Sequence, residues 1–384
     1  MADLPRDGRT GPPPPDLLRR LLPRLADFGI TRLGDVTGLD RLGIPVMQAA
    51  RPLSLSNSVA QGKGATPETA ALSAILETAE CFFAERLSHF DVTVASAAGL
   101  SVDPRSLAPH MTEDCPANWA EEDIAWVAAE ELRSASRCVL PLALVHTAYV
   151  HPSAAPADAW FQASTSGLAV AATRHDALLH GLLECIERDA LARAMRVHGF
   201  FQRCRIDLAS IGDPRLNDLI ESLRAAGLLV GLWRAQGLAG VPVVWCHLLE
   251  EDSHTGTLIP HPSEGSAAGL DAADAAARAI REAAQSRLAA ISGAREDITR
   301  LSYPRYPDWD RIEAHRKLLR DGPRSVHFDE LAAETSGDWL ADLLARGDKA
   351  GLSSILAVDL DTRPFAGLSA VKVVVPDLKP LGEG

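Results

Sequence analysis

Three stretches of the chain repeat one polar spacing within sequence that is otherwise apolar and suited to helix. On an α-helix, residues at i, i+4 and i+7 fall on one narrow face, so each stretch places its polar groups in a single stripe. Flanking Leu, Ile, Ala, Cys and Phe residues predict that the stripes are at least partly buried. The three stripes are Ser73/Glu77/Glu80, His180/Glu184/Glu187 and Arg278/Glu282/Gln285.

Burial of the glutamates in these stripes constrains what the fold must supply. A buried carboxylate must be paired, protonated or bound to a cation. One alternative is a solvated helix face laced with ion pairs, for which Arg86, Arg188 and Arg287 are available. Three helices with matching spacing and apolar flanks favour a metal site instead. Mg²⁺ suits such a site because it binds carboxylate oxygens together with phosphate oxygens and water. The predicted metal ligands are Glu77, Glu80, Glu184, Glu187 and Glu282.

A glycine-flanked lysine, Lys63, stands directly ahead of the first striped helix. Gly62 and Gly64 let backbone approach a ligand, and a lysine supplies a point charge for phosphate. Thr66 is the predicted N-cap of the helix and Pro67 its first residue, and a helix N-terminus favours anions. The segment is not a Walker loop, because the leading glycine of that motif is missing. Together with the carboxylate stripe it predicts a site for phosphate and metal.

Composition narrows the class of protein and its partners. With 384 residues, the chain is expected to form one composite domain with subdomains. The net charge of −13 argues against nucleic acid and against an anionic membrane surface as partners. A signal pattern and a membrane-spanning run are both lacking, which predicts a cytoplasmic protein. The six cysteines include no C-x-x-C pair, so reduced thiols are expected rather than disulfides or a zinc cluster.

The order of predicted elements indicates an α+β fold, because strands and long helices mix without strict alternation. Residues 1–15 form a Pro-rich, disordered tail, residues 16–376 the catalytic domain with its subdomains, and residues 377–384 a C-terminal tail. A loop at 265–266 is expected to lead into the third striped helix, which Asp271 caps, as Thr173 caps the second. The predicted strands are 52–60, 138–150, 228–234, 241–249, 353–360 and 369–375.

Several common enzyme signatures are missing from the sequence. No G-x-S-x-G elbow, HExxH motif or Rossmann fingerprint occurs, which counts against hydrolases, zinc proteases and NAD enzymes. Cys246 and His247 are neighbours on a predicted strand. Their side chains therefore point to opposite faces and should not form a nucleophile–base pair.

In their order and spacing, the motifs resemble those of the YcaO superfamily of ATP-dependent peptide backbone modifiers. Segment 58–64, followed by Ser73, Glu77 and Glu80, resembles the first motif of that family. Segment 184–190 resembles the second, E-x-x-E-R-D, and segments 282–287 and 293–297 resemble the third. The resemblance runs from about residue 34 to residue 376, nearly the whole chain.

The resemblance implies a composite of mixed sheets and helices with a helix-lined cleft for ATP and Mg²⁺. The glutamates would surround magnesium ions that bridge the triphosphate. The resemblance also implies a homodimer. Family members often have a histidine near segment 265–269, and this chain has none there. By the same resemblance, the residues that would touch the nucleotide are Lys63, Ser73, Arg188, Gln285 and Arg287.

Enzymes similar to this chain add a nucleophile to an amide carbonyl, phosphorylate its oxygen with ATP and release phosphate. A Cys, Ser or Thr side chain of the substrate gives an azoline, whereas external sulfide gives a thioamide. Segment 29–40 resembles members that work with a TfuA partner in thioamidation, and segment 376–384 lacks the PxPxP tail common in azoline-forming relatives. We therefore expect thioamide formation on a peptide or protein substrate, with a TfuA-like partner. Azoline cyclodehydration, a nucleotide-binding accessory protein and a small-molecule kinase stay open as alternatives.

Overall fold

Helices and antiparallel sheets follow one another along the chain without a repeating order, which confirms the predicted α+β class. The structure is a computed structural model and describes residues 16–153, 157–252, 261–294, 303, 308–361 and 365–379. The predicted Pro-rich tail lies outside the described residues. So do residues 295–297 of the third motif and the chain after residue 379.

Three antiparallel sheets are present among the described residues. The first has the strand order β1-β2-β3 and the second β10-β9-β8. The third runs β4-β5-β11-β12-β7, with β6 also paired to β5. The strands are β1 (Arg32–Asp35), β2 (Val46–Ala50), β3 (Val59–Lys63), β4 (Val92–Ala95), β5 (Ile124–Glu131), β6 (Ser136–Pro141), β7 (Leu168–Ala171), β8 (Leu228–Gln236), β9 (Pro242–Glu250), β10 (Ser263–Ala268), β11 (Leu356–Asp359) and β12 (Ser369–Val374).

Side-chain caps fix the starts of the three long helices as the sequence predicts. The Thr66 hydroxyl accepts a hydrogen bond from the backbone of Thr69, and Thr173 accepts one from Asp176. The Asp271 carboxylate accepts from two backbone N–H groups of the third helix. The helices are α1 (Leu17–Leu21), α2 (Pro67–Ala84), α3 (Arg174–Ala194), α4 (Phe200–Arg203), α5 (Pro214–Ala225), α6 (Ala272–Ser292), α7 (Trp309–Asp321) and α8 (Trp339–Lys349).

Each long helix lies directly against the sheet-edge strand that precedes it, and glycine makes this contact possible. A Cβ atom on Gly62 of β3 would lie 2.0 Å from the backbone nitrogen of Ala74 in α2. A Cβ on Gly265 of β10 would lie 2.2 Å from the nitrogen of Ala283 in α6. In α3 the glycine is on the helix itself, Gly181. Backbone therefore meets backbone in all three units, and the helices are held at fixed depth.

The three strand–helix units close into a ring. Besides its own strand, α2 contacts β7, α3 contacts β10, and α6 contacts β3. Helix α3 covers β12 and β7 of the six-stranded sheet with an apolar core that includes Leu182, Ile186 and Val373. The ring turns the edges of three sheets, and the polar stripes of three helices, towards one region.

Three predictions of secondary structure were wrong in place or kind. Residues 51–58 form a loop, not a strand. Leu53 is exposed there, and Ser54 and Ser56 hydrogen-bond locally, which competes with strand pairing. The predicted loop at 265–266 lies inside strand β10. Beyond Pro141, where β6 ends, the predicted strand at 138–150 turns into a short 3-10 helix.

Candidate functional site

The ring of strand–helix units places the predicted carboxylates together. Glu77 and Glu80 lie on α2, Glu184 and Glu187 on α3, and Glu282 on α6. Glu80 feels the charge of both Glu77 and Glu184, so carboxylates from two different helices are neighbours. The sequence prediction of one shared cluster, hereafter the carboxylate cluster, is consistent with this arrangement.

Backbone N–H groups at the free edges of two sheets hold the carboxylates in place. On one edge, Val170 of β7 donates to Glu80 Oε1 at 3.4 Å, and Gly167, just before β7, donates to Glu184 Oε2 at 3.1 Å. An edge strand has N–H groups with no strand partner. Here they become fixed positive dipoles that orient acidic side chains.

The edge of β10 does the same for α3 and α6. Ala268 donates its backbone N–H to Glu187 Oε2 at 3.2 Å, and Ser266 donates its own to Glu282 Oε1 at 3.5 Å. The Ser266 hydroxyl also donates to Glu187 Oε1 at 2.6 Å. Ser266 thus links α3 and α6. Sequence reasoning missed this residue, because a serine in a predicted loop carries no signal of that role.

Two cationic side chains balance part of the negative charge. The Lys63 Nζ atom lies 2.7 Å from Glu282 Oε2 and joins β3 to α6. The guanidinium of Arg188 lies 3.5 Å from Glu184 and 4.0 Å from Glu187. Five glutamates therefore face two cations, and a surplus of negative charge is left for further cations to neutralise.

The pKa values of the carboxyl groups reflect this surplus. Burial, and then the charges of Glu184 and Glu77, raise the pKa of Glu80 well above its ordinary value. Burial also raises the pKa of Glu184. Burial alone would raise the pKa of Glu282 as well, but Lys63 and Arg188 outweigh it and the pKa is lowered. Without metal, Glu80 and Glu184 thus hold their protons to a higher pH than ordinary carboxyl groups do.

The donor set fits Mg²⁺ bound together with phosphate. Among the described residues, no three His, Cys, Asp or Glu side chains converge closely enough to hold a metal ion alone. Mg²⁺ seldom uses an all-protein cage, and is usually held by one or two carboxylates plus phosphate oxygens and water. Separated carboxylate pairs on facing helices, with raised pKa values at Glu80 and Glu184, have the chemistry that such a shared site requires.

Of the predicted nucleotide contacts, Lys63 and Arg188 lie in the carboxylate cluster, and Ser73 lies half-buried one turn before Glu77 on α2. Gln285 is buried, and its Nε2 donates to the backbone oxygen of Gln61. The stripe residue His180 is half-buried. Burial, with Arg278 and Lys63 nearby, lowers its pKa to about 4, so its imidazole is neutral at neutral pH.

Arg287 is not brought to the cluster. Its Nε donates to Asp40 at 2.6 Å and its Nη2 to Glu250 at 2.5 Å, and it is only 1% exposed. The reason is helical geometry: Arg287 follows Glu282 by five residues, which turns it about 140° away around the helix axis. Its surroundings are those of a structural ion pair.

No helix among the described residues is both long enough and apolar enough to cross a bilayer.

A family model described as YcaO cyclodehydratase, ATP- and Mg²⁺-binding, matches residues 61–379. An uncharacterised protein of Methanothermobacter thermautotrophicus is 31% identical over 376 residues, covering 95% of this chain and 94% of its own length. An uncharacterised protein in the tfuA 3' region of Rhizobium leguminosarum bv. trifolii is 32% identical over 381 residues, covering 95% of this chain and 87% of its own length.

Solved structures share the fold. YcaO from Methanopyrus kandleri, bound with AMPPCP and Mg²⁺, superposes with a TM-score of 0.71 at 22% identity, covering 94% of this chain and 90% of that one. A heterocyclase in complex with substrate and cofactor gives a TM-score of 0.72 at 19% identity, covering 100% of this chain and 55% of that one. With the family match and the relatives above 30% identity, one assignment follows: the chain belongs to the YcaO family of ATP- and Mg²⁺-binding cyclodehydratases.

Proposed function

We propose that this protein uses ATP and Mg²⁺ to activate a backbone amide of a peptide or protein substrate, with a thioamide as the preferred product. The observation that carries the proposal is the carboxylate cluster. Three edge strands and three helices hold five glutamates and two cations in one region of a YcaO family member. Burial of so many carboxylates costs folding free energy unless cations complete the site.

The residues of the cluster take complementary roles in this proposal. Glu77, Glu80, Glu184, Glu187 and Glu282 would hold magnesium ions, while Lys63 and Arg188 would contact phosphate oxygens. Ser73 and Gln285 would line the nucleotide. Bound Mg²⁺ would neutralise charge on the triphosphate. The chain itself contributes position, because backbone N–H groups hold four of the five glutamates, Glu80, Glu184, Glu187 and Glu282, in fixed orientations.

Phosphorylation by ATP would overcome the low reactivity of the amide group. An amide carbon is a poor electrophile and its oxygen a poor leaving group. In the proposed reaction a sulfur nucleophile adds to the amide carbon, and the amide oxygen accepts the γ-phosphoryl group and departs as phosphate. For hydrosulfide, the products are a thioamide, ADP and hydrogen phosphate, and charges and atoms balance.

The preference for a thioamide is supported by the relative from the tfuA 3' region, which aligns with 95% of this chain. It also leads us to propose a TfuA-like partner, and a homodimer stays a prediction. The heterocyclase neighbour supports azoline formation as the second candidate, because its fold is shared over the whole chain. A nucleotide-binding accessory role would require no turnover of a peptide.

Product mass decides between these readings. The protein, with and without a TfuA-like partner, is incubated with ATP, Mg²⁺, sulfide and candidate peptides. Exchange of oxygen for sulfur raises the peptide mass, whereas azoline formation lowers it by one water. ADP should accumulate in step with either product. Unchanged peptide and unchanged ATP under every condition, beside a positive control YcaO enzyme, would contradict the enzymatic proposal.

A further inference from the structure

A small cavity of about 30 Å³ adjoins the carboxylate cluster at Arg188. Its walls come from β12, from α3 and from the turn that precedes β7. They include Lys372, Cys185 and Ser164. A buried water needs roughly 10–15 Å³ of such space, so the cavity admits one or two small species and no nucleotide.

The cavity is positively charged in a protein whose net charge is −13. Arg188, Lys372 and Lys379 line it, and no Asp or Glu does so among the described residues. Arg188 also contacts Glu184 and Glu187, which belong to the carboxylate cluster. Arg188 therefore lies between an acidic site suited to cations and a basic cavity suited to an anion.

Lys372 is the least expected member of the lining. It is 2% exposed, and its Nζ donates to the backbone oxygen of Ser164 at 2.6 Å. No salt bridge to Lys372 is present in the part of the chain that the structure describes. Burial lowers its pKa to about 8, so the ammonium form still predominates at neutral pH. The charge of Glu184 acts on Lys372 without a close ion pair, and an ammonium with three donors and one close acceptor has capacity for a ligand.

A second observation points the same way. The Nε2 atom of His110, which also lines the cavity, is buried and has no hydrogen-bond partner among the described residues. Leu144, Val374 and Leu378 make part of the remaining wall apolar, and the uncharged Gln162 and Ser166 complete it. Such a wall suits a soft, weakly hydrated monoanion and disfavours a strongly hydrated phosphate dianion, which is also too large.

We propose that this cavity binds the sulfur nucleophile as a monoanion, either hydrosulfide or the thiolate of a cysteine. The inference rests on the proposed function and assigns it a nucleophile site. Lys372 and Arg188 hold the anion beside the carboxylate cluster. When the sulfur adds, a carbon–sulfur bond forms, the carbon–oxygen bond breaks, and the oxygen leaves on phosphate. For hydrosulfide, its proton ends on that phosphate. For a cysteine thiolate, the amide N–H proton ends on the phosphate as the carbon–nitrogen double bond of the azoline forms.

Bromide tests the site without turnover, because it is a monoanion that anomalous scattering locates. Wild-type crystals soaked in bromide should show a peak within hydrogen-bonding distance of Lys372 Nζ, and added hydrosulfide should reduce that peak. Crystals of Lys372→Met should lack it. Surface peaks alone, meaning an adventitious ion only, or a peak that persists in the variant, would overturn the proposal. This result is independent of whether the proposed reaction is observed.

Kinetics identify the source of the sulfur. In Lys372→Met, we expect the KM for hydrosulfide to rise about tenfold or more, with an unchanged Tm and an unchanged Kd for AMPPCP with Mg²⁺. If a cysteine thiolate is the source, the same rise should appear in the KM for the peptide. The control is Lys349→Met, an exposed lysine at the end of α8. An equal loss in nucleotide affinity would overturn the proposal, because the cavity would then belong to the nucleotide.

Discussion

Lys63 and Glu282 meet across the ring of strand–helix units, with Nζ and Oε2 2.7 Å apart. One residue ends an edge strand and the other lies in the middle of a helix, 219 positions later in the chain. Both are about one-quarter exposed, so the pair lies at an opening rather than in the core. The contact is therefore placed where an anionic ligand and its metal can replace it.

If Lys63 contacts the nucleotide, Lys63→Met should weaken nucleotide binding more than metal binding. We expect a loss of roughly ten- to a hundredfold in affinity for AMPPCP, the value of a charge-assisted contact to phosphate. Competition against a fluorescent nucleotide, with Mg²⁺ titrated separately, measures both. Exposed Lys349→Met is the control. Unchanged or tighter nucleotide binding would mean that Lys63 serves only to neutralise Glu282.

Proton release should accompany binding of Mg²⁺ with nucleotide. The pKa of Glu80 is raised well above its ordinary value by burial and neighbouring carboxylates, so the metal-free protein keeps a proton there to a higher pH than an ordinary glutamate would. A metal ion must displace that proton, and affinity should fall as pH is lowered through the raised pKa. Calorimetry in two buffers with different ionisation enthalpies measures the protons released. Glu80→Gln should release fewer, and equal release in both proteins would contradict this account.

Gly265→Ala should destabilise the fold and loosen the site together. The added methyl would lie 2.2 Å from the backbone nitrogen of Ala283, where only a shift of α6 makes room. Overpacking of this kind costs about 1–3 kcal/mol. Gly212→Ala is the matched control, because that glycine has open space around it. Urea unfolding measures both changes, and similar stabilities for the two variants would refute the close contact.

Arg287→Met should lower stability without a specific effect on nucleotide binding. It would leave the buried carboxylate of Asp40 without its ion-pair partner, at a cost of about 3–5 kcal/mol, whereas Glu250 keeps its ion pair with Arg41. The exposed pair of Arg215 and Asp213 supplies the control: Arg215→Met should change stability by less than about 1 kcal/mol. A stable Arg287→Met protein that has lost nucleotide affinity would return Arg287 to the nucleotide site.

The sequence was sufficient for the parts of the site that depend on local periodicity. Spacings of a few residues determine the polar stripes and the helix caps. The structure contains the predicted caps at Thr66, Thr173 and Asp271. Membership of the YcaO family followed from the order of the same motifs.

What escaped prediction depends on contacts between distant segments. Strand β10 consists of Ser, Glu, Gly and Ala, which carry little strand preference, and it forms because small residues let α6 lie against it. The resemblance assigned Arg287 to the nucleotide, but its helical angle turns it away from the stripe and it forms ion pairs with Asp40 and Glu250. Lys372 had a readable signal, a single lysine within a run of alanine and valine, but only the fold shows the cavity beside it.

The central claim is that the three helices hold a nucleotide through metal, and Glu187→Gln tests it most directly. Glu187 accepts hydrogen bonds from Ser266 and Ala268, and glutamine keeps its shape while removing its charge. AMPPCP is titrated calorimetrically into wild type and variant, with and without Mg²⁺, after circular dichroism has confirmed equal folding. We predict Mg²⁺-dependent binding in wild type that is lost in the variant. Equal Mg²⁺-dependent binding by a folded Glu187→Gln protein would contradict the account.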